Sequence, residues 1–257
     1  MAWFEQKYAF AHSTIRLAHI TDSHLFADPQ GVYFEVNTAQ YLRRVLAQLA
    51  TQSLDAVIFG GDLTQDHTLA SYTLFAQLVA ESSLPCPVFW LPGNHDEVEL
   101  LNHISHGQIH GAKHLYNEQM DILLLNSKGV TPAGWCDEHH LAEIEQVLNS
   151  TASKTLVFCH HHPVPIQGYL DKHMLENGPQ LLNTLVDSKQ VLALVHGHVH
   201  NEYHQRFREL DIFATPATSI QFTKGTAHWQ QQDLGPAWRL IQIEGDTLAT
   251  EVVWLNG

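Results

Sequence analysis

Short apolar runs alternate with stretches of helical periodicity along the first two hundred residues of the chain. Residues 15–21 and 56–59 are mostly apolar and predict two buried strands. Between them, residues 38–50 repeat Leu and Val at positions i, i+3, i+4 and i+7, which predicts a helix with one apolar face. Asn37 precedes this helix and is its predicted N-cap, because a short polar side chain can accept a hydrogen bond from the first turn.

The rest of the chain divides into an alternating part and a β-rich part. Further strands are predicted at residues 88–91, 122–125, 155–159 and 191–196, and further helices at 69–80, 138–148 and 179–186. The last helix follows Asn177 and Gly178 and begins with Pro179, a good start signal. From about Glu202 onward the predicted elements are strands, at 206–215, 219–222, 238–244 and 247–254. The pattern therefore predicts an α/β first part closed by an antiparallel C-terminal sheet, in a single domain over residues 1–257.

Composition fits an intracellular enzyme. The chain has 257 residues and is 44% hydrophobic, enough to bury a substantial core. Its three cysteines, Cys86, Cys136 and Cys159, are odd in number and lack CxxC spacing, so they predict reduced thiols and neither a disulfide framework nor a thiolate zinc site. We find no signal-peptide pattern and no run near the ~18 apolar residues of a membrane span, and we expect a cytoplasmic protein.

Net charge narrows the range of partners. The formal charge is −14, with 13 Lys and Arg residues in total. Because nucleic acids are bound largely by cationic contacts to phosphates, this charge disfavours a nucleic-acid polymer as a partner. A small phosphate ester can still bind where metal ions reverse the charge locally. The excess of acidic residues therefore favours a metal-dependent site for a small molecule.

Five short polar segments follow five of the predicted strands. Because the carboxyl ends of sheet strands are where α/β folds place their chemistry, we expect these segments to converge on one site. They contain carboxylates, imidazoles and an amide, which are side chains that bind metals. The segments are Asp22-Ser23-His24, Gly60-Gly61-Asp62, Gly93-Asn94-His95-Asp96, His160-His161-His162-Pro163 and Gly197-His198-Val199-His200.

The first two segments carry carboxylates, and each has a structural alternative. Asp22 and His24 are two residues apart, so in an extended chain both side chains lie on one face and can bind one cation. An ordinary turn at the end of a strand explains the same pair. Asp62 follows two glycines that permit a sharp turn, and its carboxylate has enough lone pairs to bridge two metals. A helix N-cap is the alternative for Asp62.

The third segment is more specific. Asn94 offers a neutral oxygen ligand, and His95 beside it places a titratable group next to whatever the metal binds. The alternative is a left-handed turn at Asn94 with His95 on the surface.

The histidine segments have to be weighed against a total of 20 histidines. At that frequency an HxH pair arises roughly once or twice by chance in a chain of this length. What favours a metal site is their position at strand ends. His198 and His200 share a face at about 6–7 Å spacing, which suits two adjacent metals. His196 is interpreted as a core residue or as support for a ligand.

The order of the segments, DxH, GD, GNHD, HHxP and GHxH, resembles the calcineurin-like metallophosphoesterase superfamily. The stretches ITDSHLF, WLPGNHD, CHHHPVP, HGHVH, ATPATSIQF and PAWRL are similar to the bacterial class III cyclic-nucleotide phosphodiesterases of the CpdA type, from about Ile15 to Val253. The resemblance implies the fold of that superfamily, a two-layered β-sandwich flanked by helices, with a mixed sheet and an antiparallel C-terminal sheet.

The resemblance also implies roles for individual residues. The implied ligands of one metal are Asp22, His24 and His200, the bridging ligand is Asp62, and the ligands of the second metal are Asn94, His161 and His198. His161 is preferred to the adjacent His160 because the family pattern counts back from the proline. His95 is the implied catalytic residue, and the implied substrate contacts are His24, Asn94, His95 and His200.

The implied reaction is hydrolysis of 3',5'-cyclic AMP to 5'-AMP by two divalent metal ions, Fe²⁺ or Mn²⁺ foremost and Zn²⁺ as a further candidate. The expected partner is a small cyclic nucleotide, with no nucleic-acid polymer and no membrane, for a monomer or a homodimer. Two alternatives keep the fold. A broader phosphodiesterase, acting on 2',3'-cyclic nucleotides or glycerophosphodiesters, retains every ligand and differs at the rim of the site. A non-enzymatic binding scaffold is expected to have lost the catalytic histidine, and His95 is present.

Overall fold

Two β-sheets pack face to face in the computed structural model of the chain, which describes residues 2–255. Helices cover the outer face of each sheet, so the layers run helix, sheet, sheet, helix. Apolar side chains between the sheets form a central core, and each outer face packs against its helices through a further cluster. The predicted sandwich flanked by helices is confirmed.

The first sheet has six strands, four of them parallel. Across the sheet they are β17 (Thr247–Trp254), β16 (Ala237–Glu244), β2 (Ile15–Ile20), β5 (Ala56–Phe59), β6 (Val88–Trp90) and β7 (Ile109–His110). β2, β5, β6 and β7 run parallel, whereas β16 pairs antiparallel with both β2 and β17. The parallel strands are buried on both faces, which explains their unbroken apolar sequences.

The second sheet has seven strands and is also mixed. Across the sheet they are β1 (Lys7–Ala9), β8 (His114–Tyr116), β9 (Met120–Leu124), β10 (Lys154–Cys159), β11 (Val191–His196), β13 (Leu210–Ala214) and β12 (Tyr203–Phe207). β9, β10, β11 and β13 run parallel. Two small hairpins stand outside the sheets, β3 (Val32–Tyr33) with β4 (Val36–Asn37), and β14 (Gln221–Phe222) with β15 (Gln231–Gln232).

Three helices cover the first sheet and two cover the second. They are α1 (Thr38–Leu49), α2 (Leu69–Glu81) and α3 (Val98–His103), then α4 (Glu138–Ser150) and α5 (Gly178–Asp187), with a 3-10 helix at Tyr169–His173. Asn37 is the N-cap of α1, as predicted, and its side chain accepts a hydrogen bond from the Gln40 amide at 2.7 Å. Asn177 makes no such bond to α5, because its amide bonds both backbone groups of Cys136.

The C-terminal strands correct three predictions. They pair antiparallel as predicted, but they do not form a sheet of their own: β16 and β17 extend the first sheet, and β12 and β13 extend the second. Residues 206–215, predicted as one strand, fold as a hairpin that reverses at Arg208, which has a φ of 52°. The segment lacks glycine, asparagine and proline, the residues that usually mark a turn, so its pattern did not indicate a reversal. Of residues 219–222, only Gln221–Phe222 form a strand.

Candidate metal centre

The five polar segments meet where strands of both sheets end. In the first sheet, β2, β5 and β6 lead into Asp22, Asp62 and Asn94. In the second sheet, β10 and β11 lead into His161 and His198. Ligand atoms from both sheets lie within 4.8 Å of one another in several groups. The predicted convergence of these segments is therefore present in the fold.

Two hydrogen bonds join the segments across the sheets. Nδ1 of His160, after β10, donates to the carbonyl oxygen of Gly60, after β5, at 2.7 Å. The amide of His198, after β11, donates to the carboxylate of Asp22, after β2, at 3.0 Å. These bonds hold the two sheet ends in register and fix the distance between their functional side chains.

Left-handed backbone is concentrated in this region. Asp22, His24, Asp62, His198 and His200 have φ values of 55°, 45°, 54°, 67° and 52°. Such a conformation costs free energy in a residue with a side chain, and it persists where surrounding contacts require it. The turns aim side chains from both sheets into one space, which an extended continuation of each strand would not do.

One half of the cluster contains Asp22, His24 and His200. Nε2 of His24 lies 3.1 Å from Nε2 of His200, and the latter lies 3.2 Å from Oδ1 of Asp22. Nδ1 of His200 donates to the carbonyl oxygen of Ile220 at 2.8 Å, so in the neutral ring Nε2 carries a lone pair. Nδ1 of His24 is fixed in the same way by Oε1 of Gln65, at 2.8 Å. Two imidazole lone pairs and a carboxylate thus face one another.

The other half contains three histidines and an amide. Ring nitrogens of His160, His161 and His198 lie within 4.8 Å of one another, and Nε2 of each is buried without a hydrogen-bond partner. Oδ1 of Asn94 is also buried and without a partner, and Asn94 lines the same cleft. Nδ1 of His161 is held by Oγ of Ser127 at 2.9 Å.

His160 lies deeper in the cluster than its motif position alone indicates. Its Nε2 is 3.4 Å from Oδ2 of Asp62 and 3.9 Å from Oδ1 of Asp22. The structure thus brings both His160 and His161 to the cluster, whereas the family pattern selects His161. His196, by contrast, is buried outside these groups, and its Nδ1 contacts the Gly197 carbonyl oxygen at 2.9 Å.

The charges of the buried carboxylates depend on the surrounding imidazoles. Burial alone would raise the pKa of Asp22, but the charge of His200 lowers that pKa to about 2. Burial acts against Asp62 in the same way, and the His160 and His95 charges hold its pKa well below the usual value. Burial would lower the pKa of His160, but the Asp62 charge raises it to about 9. A proton on His160 thus supplies the positive charge that two buried carboxylates require.

Burial keeps the imidazoles of His24 and His161 neutral. Burial, together with the neighbouring His200 charge, lowers the pKa of His24 to about 3. Burial and the His160 charge lower the pKa of His161 to about 3. Carboxylates, neutral imidazoles and an amide oxygen without protein partners make a set of oxygen and nitrogen donors that divalent cations fit. The residues present therefore agree with the metal site that the family resemblance implies.

A shell of supporting contacts lies behind these donors. Asp96 accepts hydrogen bonds from the amides of Leu63 and Gly93, both at 2.9 Å, and so ties the GNHD segment to the GD segment. A Cβ atom on Gly93 would collide with the carboxylate of Asp62, so only glycine fits there. Gln65 and Ser127, which orient two of the histidines, lie outside the five segments, and no pattern in the sequence identifies them.

His95 stands beside the donors and lines the cleft. Its amide donates to Oδ1 of Asp62 at 2.9 Å, which fixes the backbone next to the cluster. The ring stacks on His67, with centroids 5.3 Å apart and planes 5° from parallel, and meets His24 edge-on at 4.9 Å. Nδ1 of His95 is buried without a partner. An imidazole held in this way is available for proton transfer to a bound molecule.

Residues 15–202 match the sequence profile described as calcineurin-like phosphoesterase. This stretch covers the five polar segments and most of the chain. The chain belongs to the calcineurin-like phosphoesterase family.

Relatives named as cyclic nucleotide phosphodiesterases are similar to this chain over almost its full length. A probable cyclic nucleotide phosphodiesterase of Pseudoalteromonas sp. (strain SM9913) is 57% identical over 260 residues, which cover 100% of both chains. The 3',5'-cyclic adenosine monophosphate phosphodiesterase CpdA of Escherichia coli (strain K12) is 35% identical over 247 residues, 93% of this chain and 89% of that protein.

A solved structure of another protein has the same fold as this chain. A dimetal phosphatase from Danio rerio superposes with a TM-score of 0.65, covering 92% of this chain and 98% of that one at 13% identity. At that identity the likeness concerns the fold alone. Among the helices of residues 2–255, none combines the length and the apolar character that a membrane span needs.

Proposed function

We propose that this chain is a metal-dependent phosphodiesterase that hydrolyses 3',5'-cyclic AMP to 5'-AMP. One observation carries the proposal: carboxylate, imidazole and amide donors from both sheets face one another, several of them without a protein partner. Membership of the calcineurin-like phosphoesterase family and the names of the relatives support the reaction and the substrate. By consuming cyclic AMP, the enzyme lowers the concentration of a second messenger.

The proposal assigns the donors to two divalent cations. Asp22, His24 and His200 would hold one cation, Asn94, His161 and His198 would hold the other, and Asp62 would be shared by both. Oxygen and nitrogen donors without a thiolate suit Fe²⁺ or Mn²⁺, with Zn²⁺ as a further candidate. When bound, the cations supply polarisation of the phosphoryl oxygens and a nucleophilic hydroxide at neutral pH.

The chain's own residues position the substrate and move the proton. His24, Asn94 and His200 line the cleft and, in this proposal, contact the phosphate of the substrate together with His95. His95 is the catalytic residue: its imidazole delivers a proton to the 3' oxygen as the bond from phosphorus to that oxygen breaks. The bond from its amide to Asp62 keeps the imidazole beside the leaving oxygen.

The proposal places one metallophosphoesterase domain in the cytoplasm, as a monomer or a homodimer, acting on a small cyclic nucleotide. A formal charge of −14 opposes a nucleic-acid polymer. His95 lines the cleft beside the donors, which argues against a scaffold that merely binds. A broader phosphodiesterase would use the same donors, so substrate comparison has to separate the two enzymes.

The decisive experiment is hydrolysis of 3',5'-cyclic AMP by the purified protein loaded with Mn²⁺ or Fe²⁺. We expect metal-dependent release of 5'-AMP that outpaces hydrolysis of 2',3'-cyclic AMP, glycerophosphocholine and bis(4-nitrophenyl) phosphate. A chelated sample is the control for the metal. Faster turnover of the 2',3' isomer or of the generic diester would move the assignment to a broader phosphodiesterase. Absence of any turnover in the loaded protein would contradict the enzyme assignment itself.

A further inference from the structure

Four aromatic side chains stand around the mouth of the cleft that holds the candidate metal ligands. They are Tyr33 of β3, Tyr169 of the 3-10 helix, Phe222 of β14 and Trp229 in the loop between β14 and β15. We propose that this aromatic rim is the subsite for the nucleobase of the substrate, with Trp229 as the main stacking surface. The inference rests on the proposed function, because it concerns where the base of a cyclic nucleotide lies during hydrolysis.

The size of the cleft places the base at the rim. The cleft has a volume of about 150 Å³. Pockets that enclose a drug-sized ligand usually have roughly 300–1,000 Å³, so this cleft is too small to bury a whole nucleotide. The phosphate has to reach the donors on the floor. The base, at the other side of the ribose, is then left at the mouth, where the aromatic side chains lie.

The aromatic rim is continuous with the metal centre. The ring of Phe222 stacks on His200, with centroids 4.1 Å apart and planes 22° from parallel. The ring of Tyr33 stacks on His24 at 4.9 Å and 17°. These two rings therefore lie directly above two candidate ligands. A base stacked on the solvent side of these rings is separated only by the ribose from a phosphate at the floor of the cleft.

Trp229 lies at that outer position, beside Phe222. Its ring contacts Phe222, Tyr169 and Phe34 at centroid distances of 4.5, 5.6 and 5.7 Å. Nε1 donates to Oε1 of Gln231 at 2.7 Å, which fixes the orientation of the indole. Trp229 nevertheless remains 37% exposed. An indole that is held in place and still open to solvent is suited to stacking a base, and stacking accepts any base because every base has a π-face.

The aromatic rim also carries positive charge in an acidic protein. Nζ of Lys172 lies 3.9 Å from the centre of the Tyr169 ring and 2.7 Å from its hydroxyl oxygen. With a formal charge of −14 overall, the cation beside Tyr169 favours approach of an anionic nucleotide from this side. Aromatic surface and a nearby cation together are the features that bind single nucleotides without reading base identity.

The test compares two ligands that differ only in the base. Binding of 5'-AMP and of ribose 5-phosphate to the Mn²⁺-loaded protein is measured by calorimetry for the wild type, Trp229→Leu and Trp229→Phe. We expect Trp229→Leu to raise the Kd of 5'-AMP by about 5- to 100-fold and to change the Kd of ribose 5-phosphate by less than about twofold. Trp229→Phe, which keeps an aromatic face, should fall between the wild type and Trp229→Leu.

Tyr116→Leu is the matched control, because Tyr116 lies on β8, away from the cleft, and is 38% exposed. It should leave both affinities unchanged. A preference for 5'-AMP that survives Trp229→Leu, or an equal loss for both ligands, would overturn the base subsite. Because these are binding measurements, they do not depend on turnover. Failure to hydrolyse cyclic AMP would contradict the proposed function, whereas failure of the Trp229 comparison alone would contradict only the base subsite.

Discussion

Buried carboxylates occur in two regions of this protein, and their surroundings differ. At the paired strands β8 and β9, Oδ1 of Asp121 bonds to Nε2 of His114 at 2.6 Å, and Oδ2 accepts from Thr151 at 2.7 Å. In the cleft, Asp62 faces His24 at 3.8 Å and His160 at 3.4 Å, beyond normal hydrogen-bond distance. Both regions combine Asp with His, and Oδ1 of Asp62 accepts from the His95 amide at 2.9 Å, but Oδ2 of Asp62 has no bond as short as those of Asp121.

The difference distinguishes a carboxylate that stabilises the fold from one that is arranged to bind a cation. Each oxygen of Asp121 is used within the protein, so the group stabilises the β8–β9 pair and has no capacity for a ligand. In the cleft, buried atoms such as Oδ1 of Asp22, Oδ1 of Asn94 and Nε2 of His161 have no partner. Leaving them so costs free energy, and a bound cation recovers it. Substitutions in the cleft should therefore lower activity and metal binding, whereas substitutions around Asp121 should lower stability.

The largest expected effect is on activity, from Asp62→Asn. The amide keeps the acceptor for the His95 amide but removes the charge between the two proposed cation positions. We expect kcat/KM for cyclic AMP to fall by about a thousandfold or more, because charge stabilisation by the metals contributes several kcal/mol. Metal content should fall in parallel, as measured by mass spectrometry of the desalted protein.

Stability gives the complementary readout for Asp62→Asn. Because the surrounding imidazole charges hold the folded pKa of Asp62 well below its usual value, its charge stabilises the metal-free fold, and the metal-free variant should unfold at a lower temperature than the wild type. Asp246→Asn, in the exposed turn between β16 and β17, is the control and should change neither property. Full metal content with normal turnover would remove Asp62 from the centre.

His95→Ala should separate catalysis from metal binding. Loss of the proton donor is expected to lower kcat by about 10²- to 10⁴-fold, the usual contribution of general acid catalysis. Metal content should stay at the wild-type level, because His95 is not one of the proposed ligands. His103→Ala, an exposed histidine at the end of α3, is the matched control. Unchanged kcat at full metal loading would mean that another group protonates the leaving oxygen.

A smaller effect is expected from a residue that orients a proposed ligand without binding the metal itself. Gln65→Leu removes the acceptor that fixes Nδ1 of His24. We expect the affinity for Mn²⁺ to fall by about 10- to 100-fold, as is usual when a group that orients a histidine ligand is lost. Calorimetric titration of the metal-free protein measures this directly, with Gln40→Leu, on the exposed face of α1, as the control. An unchanged affinity would show that packing alone orients His24.

The smallest effect on function is expected from Asp121→Asn, which should affect stability instead. Burial alone would raise the pKa of Asp121, but hydrogen bonds from His114 and Thr151 lower it below the usual 3.8. Since the folded pKa is depressed, this stabilisation is complete above about pH 5 and is lost as the pH falls through the folded pKa. At pH 7 the variant should lose about 1.5–3 kcal/mol of unfolding free energy, the contribution of hydrogen bonds to a charged group.

Denaturant unfolding of the metal-free protein at pH 7 and at pH 3 tests this prediction. The difference between the wild type and Asp121→Asn should be smaller at pH 3, whereas cyclic AMP hydrolysis at pH 7 should be unchanged. An equal difference at both values of pH would mean that the charge of Asp121 contributes nothing to stability. A large loss of hydrolysis would mean that the two regions are coupled.

The positions of the donors could be predicted from sequence because each lies a few residues after the end of an apolar strand. Asp22, Asp62 and Asn94 follow the parallel strands β2, β5 and β6, whose buried runs are unambiguous. The left-handed turns that aim these side chains inward leave little trace in the sequence, since Asp and His adopt this conformation more often than most residues but are far more common outside it. The involvement of His160 likewise depends on its distance from Asp62, which only the fold defines.

Features made by irregular segments could not be predicted. The hairpin at β12 and β13 turns at Arg208 without a turn residue, so its apolar pattern looked like one strand. Trp229, Tyr33 and Tyr169 come from three distant segments with no shared motif, and only their packing forms the aromatic rim. The floor of the cleft thus follows from strand ends, whereas its rim depends on loops that the tertiary structure brings together.

Anomalous diffraction from crystals soaked in Mn²⁺ tests the central claim most directly. If the donors form a two-metal centre, two peaks should appear in the cleft about 3.5–4 Å apart, with the carboxylate of Asp62 between them. Asn94 and His161 should contact one peak, and His24 and His200 the other. A single peak, or peaks outside the cleft with these atoms still without partners, would contradict the claim that the cleft is built to hold two cations.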